Sequence, residues 1–431
     1  MSSAVVVDND LVLEAAIALG KSFALYRLPN EDEPYLMVQD GGDLITPGSF
    51  EELADKSGFL MAPFKISTSS PMMVLRPDHF IRGREQISSY LQSLSAESEV
   101  SAWLERYAGS AAAATAKDAA AGQSQSSLST GDSNSSCTAP CCFAQDHEQL
   151  WEEQQTLYRR DFEVFHEALN SHRFDKLVLS TRKVLKYRPF LAFSSFDHAC
   201  SLYRRMMVSL VSSPVTGTWL GATPEILLRG RDQQYQTMSL AGTMINKSHD
   251  CCNENDPYDL SEWSTKDRQE QEYVTDYIRE VITPYAQDIR EEGPYTTMAG
   301  PVRHLRTDFA FTFRDESRLG ELIGRLHPTP AVCGLPKQEA YSFIVEHESI
   351  DRRYYAGMLG PLNLGGDSQL YVNLRCMEIT FPEPGSNQCV LASCYAGGGN
   401  LRQSVCESEL TEACNKMRAV TSAIVNPASE A

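Results

Sequence analysis

Acidic residues on two helical patterns are the groups of this chain best placed to do chemistry. From Ser264 the spacing predicts a helix to about Ala286, with Tyr273, Val274, Tyr277, Ile278, Val281 and Ile282 on its apolar stripe. Stepping back from Val274 by four residues and then by three reaches Glu270 and Asp267, so both project from that stripe. A second pattern runs from about Ser404 to Ile424, opened by a Ser404–Glu407 capping box. On it Glu409, Glu412, Lys416 and Val420 share one face. A carboxylate on an apolar stripe is costly unless it is paired or bound to a cation. Two such helices facing one another would supply oxygen donors and room for water, the coordination Mg²⁺ favours. The other reading is of solvated first-turn acids, which the helix dipole favours.

Three further features point the same way. Arg375 stands between Leu374 and Cys376, and an arginine buried there wants an anion, either a ligand or an internal acid such as Glu378. Ala396-Gly-Gly-Gly399 is expected as a turn between a strand and the capped helix, its N–H groups open to an anion. Turn residues recur in His327–Pro336 and Arg352–Gly357, the second of which also carries Tyr354 and Tyr355. Together these suit a small, multiply charged acid held on a metal ion. Neither a P-loop nor a Gly-x-Gly-x-x-Gly fingerprint is present. Cys137, Cys141, Cys142 and His147, and likewise His249, Cys251 and Cys252, lack paired zinc-ligand spacing and read as loop cysteines without metal.

The elements that must hold these groups read as α+β, a single large domain of mainly antiparallel sheet flanked by helices. Strands are expected at Phe23–Leu28, Tyr35–Val38, Lys176–Val184, Thr216–Leu220, Glu225–Arg229, Gln236–Ser239, Leu370–Ile379 and Val390–Tyr395. Helices are expected at Leu11–Leu19, Ile87–Tyr107 and His147–Asn170. Residues 1–107 form the N-terminal part of the domain and 141–425 its site-bearing region. Between them, 108–140 is rich in Ala, Ser, Gly and Gln and too poor in apolar side chains to offset its ordering entropy, so it reads as a disordered insertion.

A formal charge of −19 on 431 residues, with no basic stripe, argues against nucleic acid and anionic membranes as partners. Neither a secretory signal nor a membrane-crossing run is evident, and the cytoplasm is the expected location. Twelve cysteines in so long a chain read as reduced thiols.

In order along the chain, several motifs resemble the chorismate-utilising enzymes. They are Lys176-Leu-Val-Leu-Ser180, Gly221-Ala-Thr-Pro-Glu225, Leu240-Ala-Gly-Thr243, Lys266-Asp-Arg-Gln-Glu270, His327-Pro-Thr-Pro-Ala331, Tyr355-Ala-Gly357, Leu374-Arg-Cys376, Ala396-Gly-Gly-Gly399 and Glu412 to Lys416. The resemblance runs from about Phe174 to Ala423. Lysine at 176 matches the branch that adds water, whereas the branch that adds ammonia typically carries glutamine there. The His327–Ala331 string looks most like the isochorismate synthases. The resemblance implies chorismate as substrate, Mg²⁺ as cofactor, and no amidotransferase subunit. A salicylate synthase, an ammonia-using anthranilate or aminodeoxychorismate synthase component, and a non-catalytic acid-binding protein are the alternatives. Whether a product would serve menaquinone, siderophore or salicylate synthesis stays open.

Carried over by position, the resemblance makes Lys176 the general base and Glu225 the general acid. It makes Glu270 and Glu412 ligands of Mg²⁺, with Asp267 and Glu409 supporting through water. Tyr355, Arg375, Gly397 and Lys416 match positions that hold substrate carboxylates, Gly242 and Thr243 line the same pocket, and His304 lies beside the ring. Taken alone, Lys176 also reads as an edge-strand lysine, Glu225 as a surface acid after Pro224, and His304 as a core histidine bonded to backbone. The chain departs from the family pattern at Gln271 (usually histidine), Thr181 (arginine) and Asn400 (apolar). Adding water at one ring carbon while hydroxide leaves another needs a base and an acid on opposite ring faces. Lys176 must then be an uncharged amine and Glu225 a protonated carboxyl, forms that burial favours.

Overall fold

Strands with apolar residues on both faces must be covered on both faces. All six residues of Ser22–Arg27 are buried: Ala24 and Tyr26 enter one hydrophobic core, Phe23 and Leu25 a second. The computed structural model describes residues 8–106, 144–187, 190–245, 256–299, 302–382 and 389–425. The segment 108–140, Cys137, Cys141 and Cys142, and His249, Cys251 and Cys252 lie outside these residues, as does the side chain of His147.

Among the described residues two antiparallel sheets form, one of nine strands and one of eight. In the nine-stranded sheet Lys176–Tyr187 lies between Gly334–Leu335 and Val390–Asn400. Cys376–Thr380, Gly217–Thr223, Met207–Ser213, Ser22–Arg27, Tyr35–Gln39 and His79–Arg82 follow. The other sheet runs Ala286–Ala299, Val302–Phe313, Gln234–Ile245, Ile226–Arg231, Asp367–Val372, Met358–Leu362, Gly58–Ala62, Met73–Leu75. Residues 22–82 thus add strands to both sheets. One core joins the sheets through Met207, Trp219, Phe59 and Leu370; the second joins the nine-stranded sheet to helices Asn9–Ala18, Arg84–Ser95, Ala192–Leu202 and Cys406–Thr421. The architecture is α+β. No described helix is long and apolar enough to cross a membrane.

Several expected elements are corrected. The pattern Leu370–Ile379 is two strands in different sheets, Asp367–Val372 and Cys376–Thr380, because Arg375 turns the chain at φ +48°. Ala396–Gly399 is not a turn. It completes the strand Val390–Asn400, paired in register with Val178–Thr181. Ser404 does not cap the last described helix, which starts at Cys406; its hydroxyl takes the N–H of Leu401 in the turn after the strand. Glu407, instead of closing a capping box, pairs with Arg159 at 2.7 Å. Ile87–Tyr107 breaks at Ala96, and a second helical stretch covers 98–106. The helix from Ser264 ends at Ile282 and is capped by Ser264, which accepts from the N–H of Asp267. Beyond it, Ala286–Ala299 and Val302–Phe313 are strands the pattern reading missed. Alternation through Phe309, Phe311 and Phe313 marked the second; the first is a charged edge strand with a Gly-Pro step and little alternation.

Candidate active site

Two of the places where the chain crosses between the sheets lie side by side. Gly217–Thr223 belongs to the nine-stranded sheet and Ile226–Arg231 to the other, so Pro224 and Glu225 form one crossing. Asn373 to Arg375 form the second. Backbone bonds join the two: Ala222 N–H to the carbonyl of Arg375 at 3.1 Å, and Val372 N–H to the carbonyl of Glu225 at 3.0 Å. A strand holding both residues in one sheet could not turn them into a common space. A cavity of about 620 Å³, water at its mouth included, opens beside these crossings.

Nine of the residues singled out from sequence border that cavity. They are Glu225, Gly242, Thr243, Glu270, His304, Tyr355, Arg375, Gly397 and Lys416. Lys176, Asp267, Glu409 and Glu412 do not border it. Lys176 is wholly buried and is no edge-strand lysine, and Glu225 is buried and no surface acid. Burial pushes the Glu225 carboxyl up to about 7, against the hydrogen bond from Thr329 and the charges of Lys176, Arg375 and Lys416. Thr329 Oγ1 donates to Glu225 Oε1 at 3.3 Å, a contact that sequence reasoning missed although Thr329 lies inside the His327–Ala331 motif.

Gly242 and Thr243 sit at an irregularity in the pairing of Gln234–Ile245 with Val302–Phe313. Gly242 adopts φ +67°, and a Cβ there would come within 3.1 Å of Asp267 Cβ. Its carbonyl is 2.7 Å from His304 Nδ1, and Arg375 lies 2.6 Å from His304 Nε2. Arginine can only donate, so Nε2 accepts and the proton of the neutral ring is on Nδ1. Burial, then the charges of Arg375 and Lys416, hold His304 well below the usual histidine range. His304 is thus bonded to backbone and borders the cavity as well. Glu378 is not the partner of Arg375; it pairs with Arg353.

The helix carboxylates are each met by an ammonium group or a hydroxyl. Lys176 Nζ lies 2.9 Å from Glu270 Oε1, Lys266 Nζ 2.6 Å from Glu409 Oε1, and Lys416 Nζ 2.7 Å from Glu412 Oε1. Asp267 takes the hydroxyl of its own cap, Ser264. Burial alone would raise Glu270, but Lys176, Lys266 and Lys416 outweigh it and hold the carboxyl below its ordinary range. The first-turn reading therefore fails for Glu270 and Glu409, which are buried. Among the described residues no three acidic, histidine or cysteine groups stand together as a ready ligand set. The donor chemistry nevertheless fits Mg²⁺, being carboxylate oxygen throughout. Glycine keeps the space clear: a Cβ on Gly399 would sit 2.4 Å from Glu270 Oε1, and one on Gly398 would sit 3.3 Å from Glu409 Oε2 and 3.8 Å from Glu412 Oε1.

One buried ion pair sets the walls. Arg352 binds Glu348 through two bonds of 2.6 and 2.8 Å, and donates to the carbonyls of Val332 at 2.7 Å and Val178 at 2.8 Å. Glu348 in turn accepts the N–H of Ser180 at 2.7 Å. Val178 and Val332 border the cavity. Glu348 and Arg352 are four positions apart but lie beyond the helix Lys337–His347, so helix periodicity gave no signal for the pair.

The model of the chorismate binding enzyme family matches residues 94–425, most of the chain and further toward the start than the motifs reach. The chain belongs to the chorismate-binding enzyme family. It is 33% identical over 207 residues to the salicylate biosynthesis isochorismate synthase of Pseudomonas aeruginosa, covering 48% of this chain and 42% of that protein. It is 32% identical over 212 residues to the vibriobactin-specific isochorismate synthase of Vibrio cholerae, 47% of this chain and 50% of that one. The match therefore spans about half the length of these relatives or less. The fold is that of the menaquinone-specific isochorismate synthase of Escherichia coli, with a TM-score of 0.67 at 20% identity over 98% of this chain and 92% of that one. Anthranilate synthase component I of Streptococcus pneumoniae shares it at a TM-score of 0.56 and 16% identity, over 93% and 90% of the chains. The chorismate-binding fold is thus common to enzymes with different names, and the choice among them rests on the site.

Proposed function

We propose that this protein is an isochorismate synthase, a Mg²⁺-dependent isomerase that adds water at C2 of chorismate as the C4 hydroxyl departs. The observation that carries the reading is Glu225, a buried carboxyl pushed up to about 7 in a cavity also bordered by Arg375, His304, Tyr355 and Lys416. A carboxyl of that kind holds a proton at neutral pH and can deliver it to a leaving hydroxyl, which departs as water. Lys176 is the proposed base: it is paired with Glu270 at 2.9 Å and does not border the cavity, so it would take the proton of the attacking water once released from that pair and uncharged, and the ring double bonds shift between the two carbons. Arg375 and Lys416 offset the substrate carboxylates in a chain of net charge −19. Glu270 and Glu412 would hold the Mg²⁺, with Asp267 and Glu409 behind them. When bound, the ion supplies charge neutralisation and orientation to a substrate carboxylate. Lysine at 176 and the isochorismate synthase names of the curated relatives support water over ammonia as nucleophile.

The test is incubation of the protein with chorismate and Mg²⁺ and identification of products by chromatography. Isochorismate alone is expected. Salicylate with pyruvate would replace this reading with that of a salicylate synthase, and product only on adding ammonium with that of an amine-forming one. Lys176→Ala and Glu225→Gln should each abolish turnover with circular dichroism unchanged, and near-wild-type turnover in either would refute its role.

A further inference from the structure

A second cavity lies on the other side of the segment that presents Thr329. His327 and Pro328 border it, while Thr329 reaches into the first cavity to bond Glu225. It encloses about 970 Å³, water at its mouth included, and Phe50, Phe64, Tyr277 and Tyr341 form much of its wall. Phe64 packs against Tyr341 with ring centres 5.4 Å apart. Rings arranged this way favour a planar aromatic occupant through stacked and edge contacts.

Its charge is positive in a strongly acidic chain. Lys337 and Arg325 border it and no carboxylate does. Lys337 Nζ donates to the carbonyls of Arg325 at 2.6 Å and His327 at 2.8 Å, and an ammonium has a third donor. The guanidinium of Arg325 is engaged in no ion pair among the described residues. Glu321, one helical turn before it, is already bound to Arg318 and to the hydroxyl of Tyr285.

We propose that this second cavity binds a small aromatic monocarboxylate, its ring against Tyr341 and Tyr277 beside the Phe64–Tyr341 pair and its carboxylate on Arg325 and Lys337. Lys337 contributes a charge already fixed by two carbonyls, and Arg325 contributes a planar fork matched to a carboxylate. The occupant and the acid Glu225 then share one short backbone segment, His327 to Thr329. The site stands apart from the proposed conversion of chorismate, so its failure leaves that reading intact.

Benzoate is the probe, titrated against the full chain by calorimetry and by saturation-transfer NMR. Saturable, millimolar binding is expected, about tenfold or more weaker in Arg325→Gln through loss of a charge-assisted contact. Cyclohexanecarboxylate and benzyl alcohol, which lack the aromatic ring and the charge respectively, should each bind more weakly than benzoate. Arg375→Ala, which alters the first cavity, should leave benzoate binding unchanged. Tyr341→Ala should remove binding; if that variant does not fold, Gln338→Trp at the exposed rim should block it. Loss of binding in Arg375→Ala with retention in Arg325→Gln would place benzoate in the first cavity and overturn the proposal, as would the absence of saturable binding.

Discussion

Arg375 donates to Nε2 of His304 at 2.6 Å while the carbonyl of Gly242 takes the other ring nitrogen at 2.7 Å, so an arginine on one sheet crossing is oriented by a histidine from the facing sheet. Burial brings the guanidinium down to about 10, yet it remains a cation at any working pH. A lysine cannot reproduce the planar fork. Arg375→Lys should therefore lower kcat/KM for chorismate by about a hundredfold, a loss of roughly 3 kcal/mol. Steady-state kinetics would check it, and an unchanged kcat/KM would remove Arg375 from the site.

Glu225 ties activity to pH. Its carboxyl titrates at about 7, and the acid form is the one that donates, so kcat/KM should fall as pH rises through that value. Because Glu225→Gln should remove turnover, its pH dependence is read from stability. The folded form binds the proton more tightly than the unfolded chain, so its contribution is fully present below about 4.5 and lost as pH rises through about 7. At pH 8 the charged, buried Glu225 costs on the order of 3 kcal/mol that glutamine does not. Thermal melts should show Glu225→Gln raising Tm relative to wild type at pH 8 and matching it at pH 4.5.

The proposed Mg²⁺ site is tested by removing the metal. Exhaustive chelation should abolish turnover and Mg²⁺ should restore it. Glu270→Ala and Glu412→Ala should weaken binding of Mn²⁺, used as a paramagnetic stand-in, by about tenfold or more. Full activity in chelator would exclude the two-helix site.

Gly399 keeps the Glu270 pocket open. A methyl group there would lie 2.4 Å from Glu270 Oε1 and 2.6 Å from Lys176 Cε, closer than atoms can approach. Gly399→Ala should reduce turnover at least about a hundredfold. Gly41→Ala, at an exposed bend with nothing within 4 Å, controls for loss of glycine alone and should leave kcat and KM unchanged.

Arg352 and Glu348 have side chains only 2% exposed each, so removing one partner strands a charge. Arg352→Met should cost about 3–5 kcal/mol of stability by chemical denaturation. The double variant with Glu348→Leu should recover much of that loss, and strict additivity would show the two to be independent.

Much of the site was legible in the chain because helices translate sequence spacing into a common face. Glu270 and Asp267, and Glu409 and Glu412, could be placed on shared helix faces by counting residues, and the alternation of Lys176 to Ser180 set which side chains share a sheet face. Family motifs named Glu225, Arg375 and His304. What counting could not supply was where strands end. Leu370–Ile379 reads as one apolar strand run, yet a positive φ at Arg375 sends its halves into different sheets. The glycine run reads as a turn, yet pairing with Val178–Thr181 makes it strand.

The sequence by itself determined which residues carry charge and which helix faces present it, because helix and strand periods are local. Only the tertiary structure decided that Glu270 would be held by Lys176 and Glu409 by Lys266, that Glu225 would be dry enough to favour its protonated form, and that Arg352 would brace the walls. Those outcomes depend on contacts between residues distant in the chain, 143 positions apart for Lys266 and Glu409 and 104 for Glu225 and Thr329, and on removal of water from around them. Both are properties of packed sheets and helices and of no single segment.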